Sequence, residues 1–112
     1  MTEKGIPNNF KSINMQKIHY VLYLNPPRPT FVQDMTDEER GTMQQHVAYW
    51  NDYMSKGMVL VFGPVLDPKG GYGLGLVEVD NEQQMQDMIA NDPANGLNKY
   101  GYYLMKAVTP KK

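Results

Sequence analysis

Apolar and polar positions along the chain change period several times, from two to nearly four and back. Lys17–Leu24 alternates at period two, with Ile18, Tyr20, Leu22 and Leu24 on one side and His19, Val21 and Tyr23 on the other. It predicts a strand that is substantially apolar on both faces. From Thr36 to Lys56 the repeat lengthens, and Met43, Val47, Trp50 and Met54 line one face of a long helix, with His46 at its edge. Thr36-Asp37-Glu38-Glu39 supplies a capping box and an acidic first turn, and Gly57 a C-terminal stop. Met58–Phe62 is apolar without alternation, which predicts a strand buried on both faces and running into Gly63-Pro64.

Asp67–Gly71 reads as a turn, and Tyr72–Val79 as a strand that pairs back in a hairpin. In that strand Gly73 and Gly75 share a face with Val77 and Val79, which permits close approach of a neighbouring element or a ligand. Asp80 or Asn81 caps a second helix, whose apolar stripe is Met85, Met88 and Ile89 and whose end is Asn91-Asp92-Pro93. Tyr100–Val108 is the last strand.

Strand, helix, strand, strand, helix, strand is the split βαβ order. It predicts an α+β, ferredoxin-like βαββαβ fold, an antiparallel sheet with two helices on one face. Residues 1–16 are expected to form an extended or flexible lead-in, 17–108 the domain, and 109–112 a fraying tail. Asn25-Pro26-Pro27-Arg28-Pro29 ends the first strand and predicts a stiff arm lying over the domain, with the Arg28 guanidinium available to an anionic substrate. Two helices cover only one sheet face, yet several strands are apolar on both. The uncovered face therefore calls for a second copy, giving a homodimer joined sheet to sheet.

Composition narrows the function classes. The chain has 112 residues, 41% hydrophobic and 21% charged, with a net charge of −1, as in an ordinary globular domain. Near-neutral charge gives no electrostatic reason to expect nucleic acid or an anionic membrane as partner. The absence of cysteine removes disulfides, thiolate nucleophiles and zinc–thiolate sites. His19 and His46 are the only histidines and form no HxxxH or HxH pattern, so no metal is expected. The glycine cluster misses GxGxxG at Leu76 and opens a strand, so no nucleotide cofactor is expected either. No apolar run approaches the roughly 20 residues that span a bilayer, and the N-terminus has no signal-peptide core, so the expected location is cytoplasmic.

His46 against an apolar stripe is the first chemical clue. In a ferredoxin-like arrangement the helices lie antiparallel, so the end of the second falls near the first half of the first, where Arg40 and His46 sit. Asp92 can there accept a hydrogen bond from one imidazole nitrogen and leave the other for proton transfer. Asp-Pro serves equally well as a helix-ending turn, and a helix-edge imidazole equally well as packing, so the residues by themselves leave both readings open.

The segments Arg40…His46-Val47-Ala48-Tyr49, Lys56-Gly57-Met58…Phe62-Gly63-Pro64 and Asn91-Asp92-Pro93, in that order, resemble the YciI-like (YCII-related domain) family over residues 17–108. The resemblance implies a dimeric α+β barrel of ferredoxin-like subunits with a histidine–aspartate pair in a small-molecule site. Carried over residue by residue, the pair is His46 and Asp92, and Gly63 and Pro64 shape the pocket. The proline-rich arm and the lead-in are extras relative to the shortest members. Superfamily relatives include lactone isomerases and cofactor-free oxygenases, which is analogy of fold. The expected function is then a cofactor-independent isomerase or lyase acting on a small, cyclic or aromatic metabolite. His46 would be the acid/base, Asp92 its orienter, and Arg28 or Arg40 an anion contact, with Trp50, Tyr49 and Tyr102 or Tyr103 in the pocket wall. The competing expectation is a non-catalytic, ligand-binding or regulatory homodimer in which His46 supplies only a hydrogen bond.

Overall fold

The computed structural model describes residues 16–110. The lead-in expected over 1–16 falls, but for Gln16, outside the described residues, as do the last two residues of the tail. The chain forms β1 (Ile18–Asn25), α1 (Phe31–Asp34), α2 (Asp37–Ser55), β2 (Val59–Val65), β3 (Tyr72–Val79), α3 (Glu82–Ala90) and β4 (Lys99–Met105). The strands make one antiparallel sheet in the order β2-β3-β1-β4, the ferredoxin-like arrangement. The four-residue α1, just after the proline-rich arm, has no counterpart in the expected elements.

Local chemistry sets the helix ends. The Thr36 hydroxyl accepts from the Glu39 N–H at 3.1 Å while the Glu39 carboxylate accepts from the Thr36 N–H at 2.9 Å, closing the capping box of α2. Gly57, just past the end, takes φ 81°, a conformation that favours glycine. Asn81 caps α3 by accepting from the Gln84 N–H at 2.8 Å.

The core lies between the helices and one sheet face. Tyr20, Leu22 and Val77 from the sheet meet Trp50 of α2 and Met85 and Met88 of α3, all buried. Gly73 shares this face, and a Cβ built there would lie 2.9 Å from Leu24 Cβ, so its missing side chain makes room for a cross-strand neighbour.

Two expectations change here. The buried side of α2 is centred on His46 and Trp50, while Val47, placed in the stripe from its spacing, is 44% exposed. Strand β2, expected to be buried on both faces, is an edge strand with a register shift between Val59 and Val61. That irregularity keeps Val59 and Phe62 both on the helix side and leaves Leu60 and Val61 exposed. Among the described residues no helix is long and apolar enough to cross a membrane.

Candidate active site

Asp92 follows α3 in a tight turn, and its two carboxylate oxygens have separate tasks. Oδ1 accepts from the Ala94 N–H at 2.9 Å, which fixes the turn. Oδ2 accepts from His46 Nδ1 at 2.8 Å, from Trp50 Nε1 at 3.0 Å and from the Tyr100 hydroxyl. The two readings of Asp92, turn former and histidine partner, are thus satisfied together, one on each oxygen. Trp50 Nε1 also reaches the Tyr100 oxygen at 3.1 Å, so the four side chains form one closed network.

The network is buried: Asp92 is 4% and His46 8% exposed. Burial alone pushes the Asp92 carboxyl up, but the hydrogen bonds from His46, Tyr100, Ala94 and Trp50 outweigh it and hold the group below the usual aspartate value. Burial, then the hydrogen bond to the Asp92 carboxylate, pushes the Tyr100 hydroxyl up, so it stays a donor. Since Asp92 Oδ2 is an acceptor, neutral His46 carries its proton on Nδ1, a tautomer assigned from this network. Its Nε2 then holds a free lone pair and has no hydrogen-bond partner among the described residues.

His46, Trp50 and Tyr100 also line a cavity of about 220 Å³ between α2, the arm and the helix side of the sheet. Pro26 of the arm and Phe31, Val32 and Met35 of the segment after it cover the cavity, Met43 and Val47 flank His46, and Leu22, Leu24, Phe62 and Val77 belong to the sheet wall. The exposed Val32 and Val47 mark its rim. Gly63 and Pro64 line it at the β2 edge, and Gly73 and Gly75 contribute bare backbone. Asn98, 3% exposed, supplies a carboxamide.

The structure does not bring the two arginines to this cavity. Arg28 spans Glu39, through Nη1 at 3.0 Å and Nη2 at 2.8 Å, and Asp34, through Nε at 2.7 Å. Those bonds pin the arm to α2. They also hold the Glu39 carboxyl at about 2, through Arg28 first and the Thr36 N–H second. Arg40 lies at the surface, donating to the Met35 carbonyl at 3.1 Å. Nor do the other expected tyrosines take part. Tyr49 donates to the Met88 carbonyl at 2.6 Å, Tyr102 bonds Gln86, and Tyr103 is 67% exposed on the opposite sheet face. Tyr100, Asn98 and Phe31 are the site residues that sequence reasoning missed. Strand alternation carried a signal for Tyr100, which pairs with Leu24 and so shares the face of Leu22 and Leu24.

Among the described residues no group of three or more histidine, aspartate or glutamate side chains could hold a metal ion. No curated protein matches the chain. The sequence model of the YCII-related domain, however, matches residues 19–109. That span takes in the four strands but for Ile18, the His46–Asp92 pair and the cavity wall, and the chain belongs to the YCII-related domain family.

Proposed function

We propose that the protein is a cofactor-independent enzyme of proton transfer, an isomerase or lyase, acting on a small cyclic or aromatic molecule in the α2–sheet cavity. The observation that carries this reading is the buried His46 Nδ1–Asp92 Oδ2 hydrogen bond of 2.8 Å on a residue that lines that cavity. Asp92 fixes the tautomer and stabilises the imidazolium, so Nε2 takes a proton from a carbon beside a carbonyl. Returning it at the far end of the resulting enolate completes an isomerisation, and loss of a leaving group from the adjacent carbon completes an elimination. The apolar walls exclude water and hold the reacting carbon near the base.

A second reading, a ligand-binding or regulatory homodimer, draws on one feature of the lining: His46 is the one histidine in it, and its Nε2 can serve a bound ligand as a hydrogen-bond partner without any proton transfer. Screening lactones, enol acids and phenols for turnover with wild type and His46→Ala separates the two. Consumption of a substrate by wild type, abolished in a folded His46→Ala protein, supports the enzyme. Unchanged turnover in that variant sinks the assignment of His46, and binding without consumption favours the regulatory reading.

The same proposal includes a homodimer through the sheet face away from the helices. Val61, Tyr103 and Met105 on that face are 51%, 67% and 39% exposed, and Val21, Tyr23 and Leu76 beside them are only partly covered. An apolar sheet face of this kind is what a partner sheet buries.

A further inference from the structure

The polar inventory of the cavity restricts its ligand more than its size does. No lysine, arginine, aspartate or glutamate belongs to the lining, and Asp92 stands behind it, occupied by four donors. An anionic ligand would lose its hydration there with no lysine or arginine in return, which is unfavourable. Tyr72 also borders the cavity, but its ring lies against Tyr23 on the other sheet face, which leaves two groups on the helix side with unspent hydrogen-bonding capacity. One is His46 Nε2. The other is the Asn98 side chain, 3% exposed, whose single polar contact among the described residues is Nδ2 to the Met43 thioether at 3.4 Å. Thioether sulfur is a weak acceptor, so the carboxamide keeps an oxygen and a second N–H to offer. A buried amide left in this state is destabilising unless something else satisfies it.

Resting on the proton-transfer reading above, we infer that the cavity selects uncharged, ring-sized ligands carrying one carbonyl or hydroxyl group, and that Asn98 is the residue that binds that group. The size agrees: an apolar cavity of about 150 Å³ is enough for benzene, and this one, at about 220 Å³, leaves space for a substituted ring. The chemistry agrees as well. Proton removal beside a carbonyl puts charge on its oxygen, and an amide N–H already in place stabilises that charge without reorganisation. Asn98 reaches the lining because its backbone is tied into the post-α3 turn, N–H to the Ala94 carbonyl at 3.0 Å and carbonyl to the Gly96 N–H at 3.2 Å.

Binding of three probes, followed by NMR shifts of the Trp50 indole N–H and the Asn98 amide, tests this without any turnover. 4-Methylphenol is neutral at pH 7, 4-methylbenzoate is its anionic analogue, and toluene has no polar group. Wild type should bind 4-methylphenol and reject 4-methylbenzoate by at least about a hundredfold. Asn98→Leu should weaken 4-methylphenol by about tenfold and leave toluene unchanged. Asn98→Ala is the second variant should the first not fold, and the wild-type comparison needs neither. Equal affinity for the phenol and the benzoate, no binding of the phenol at millimolar concentration, or an unaltered phenol affinity in the variants overturns the inference. Its failure is distinct from that of the proposed function, which falls on turnover in His46→Ala.

Discussion

The indole nitrogen of Trp50 and the Oδ2 oxygen of Asp92 lie 3.0 Å apart across 42 positions of sequence. This contact joins the middle of α2 to the turn after α3 through the oxygen that also receives His46. It makes Trp50 a support of the candidate dyad as well as a core residue. Trp50→Phe keeps most of the packing and removes the donor, so it should cost about 1–2 kcal/mol. Chemical denaturation measures the loss, and histidine ring NMR should show a more mobile His46. An unchanged midpoint would mean that the indole hydrogen bond contributes nothing net.

Asp92→Asn tests the dyad more directly. An amide in this place presents its oxygen either to Ala94 or to the three side-chain donors, and cannot serve both. Leaving a buried donor without its acceptor should cost about 1–3 kcal/mol. The imidazole should lose its fixed Nδ1–H tautomer, which nitrogen chemical shifts report. Retention of that tautomer in Asp92→Asn would show that something other than the carboxylate orients the ring.

Acid should destabilise the fold in a defined window. The Asp92 and Glu39 carboxyls both titrate below their ordinary values in the folded chain, so the unfolded chain takes up protons first as pH falls. Their stabilising effect is complete above the ordinary carboxylate range and is lost on acidification, for Glu39 between 4.5 and about 2. Thermal midpoints taken from about pH 7 to about pH 3 should therefore fall. Asp92→Asn and Glu39→Gln should each flatten the decline, and parallel curves for wild type and variants would exclude these groups as its source.

Two neighbouring glycines should respond differently to one added methyl. At Gly73 a Cβ would sit 2.9 Å from Leu24 Cβ, whereas at Gly75 its nearest neighbour, Phe62 Cβ, is at 3.5 Å. Gly73→Ala should lose about 1–3 kcal/mol through overpacking. Gly75→Ala should keep its thermal midpoint and narrow the cavity, weakening 4-methylphenol binding. Equal stability of the two variants would contradict the packing described for Leu24.

The proposed homodimer predicts a specific sensitivity. Val61→Lys and Tyr103→Lys place charge on the uncovered sheet face and touch neither the core nor the cavity. Sedimentation should show a dimer in wild type and a folded monomer in the double variant. A wild-type monomer at all concentrations removes the dimer, and an unaffected dimer in the variant moves the interface elsewhere.

The sequence by itself determined the elements whose causes are local. The capping box of Thr36 and Glu39, the Asn81 cap, the Gly57 stop and the alternation of β1 each depend on residues a few positions apart, and each stands where its pattern placed it. The order of those elements, the split βαβ pattern, pointed to the ferredoxin-like arrangement. It also brought Asp92 within reach of His46, while the residues alone could not separate a turn from a dyad.

Tertiary structure decided what depends on the far side of a contact. Helical periodicity defines a stripe about a hundred degrees wide, too broad to say whether His46 or Val47 faces inward. The buried acceptor at Asp92 and the ring of Tyr100 settle that rotation. Alternation along β4 puts Tyr100 and Tyr102 on the inner face, and packing against Trp50 singles out Tyr100. Arg28 is exposed in a loop by pattern, yet Asp34 and Glu39 consume its donors. Short-range rules fix the helix caps and stops. The partners of a side chain are set by whichever surfaces the finished sheet and helices press together.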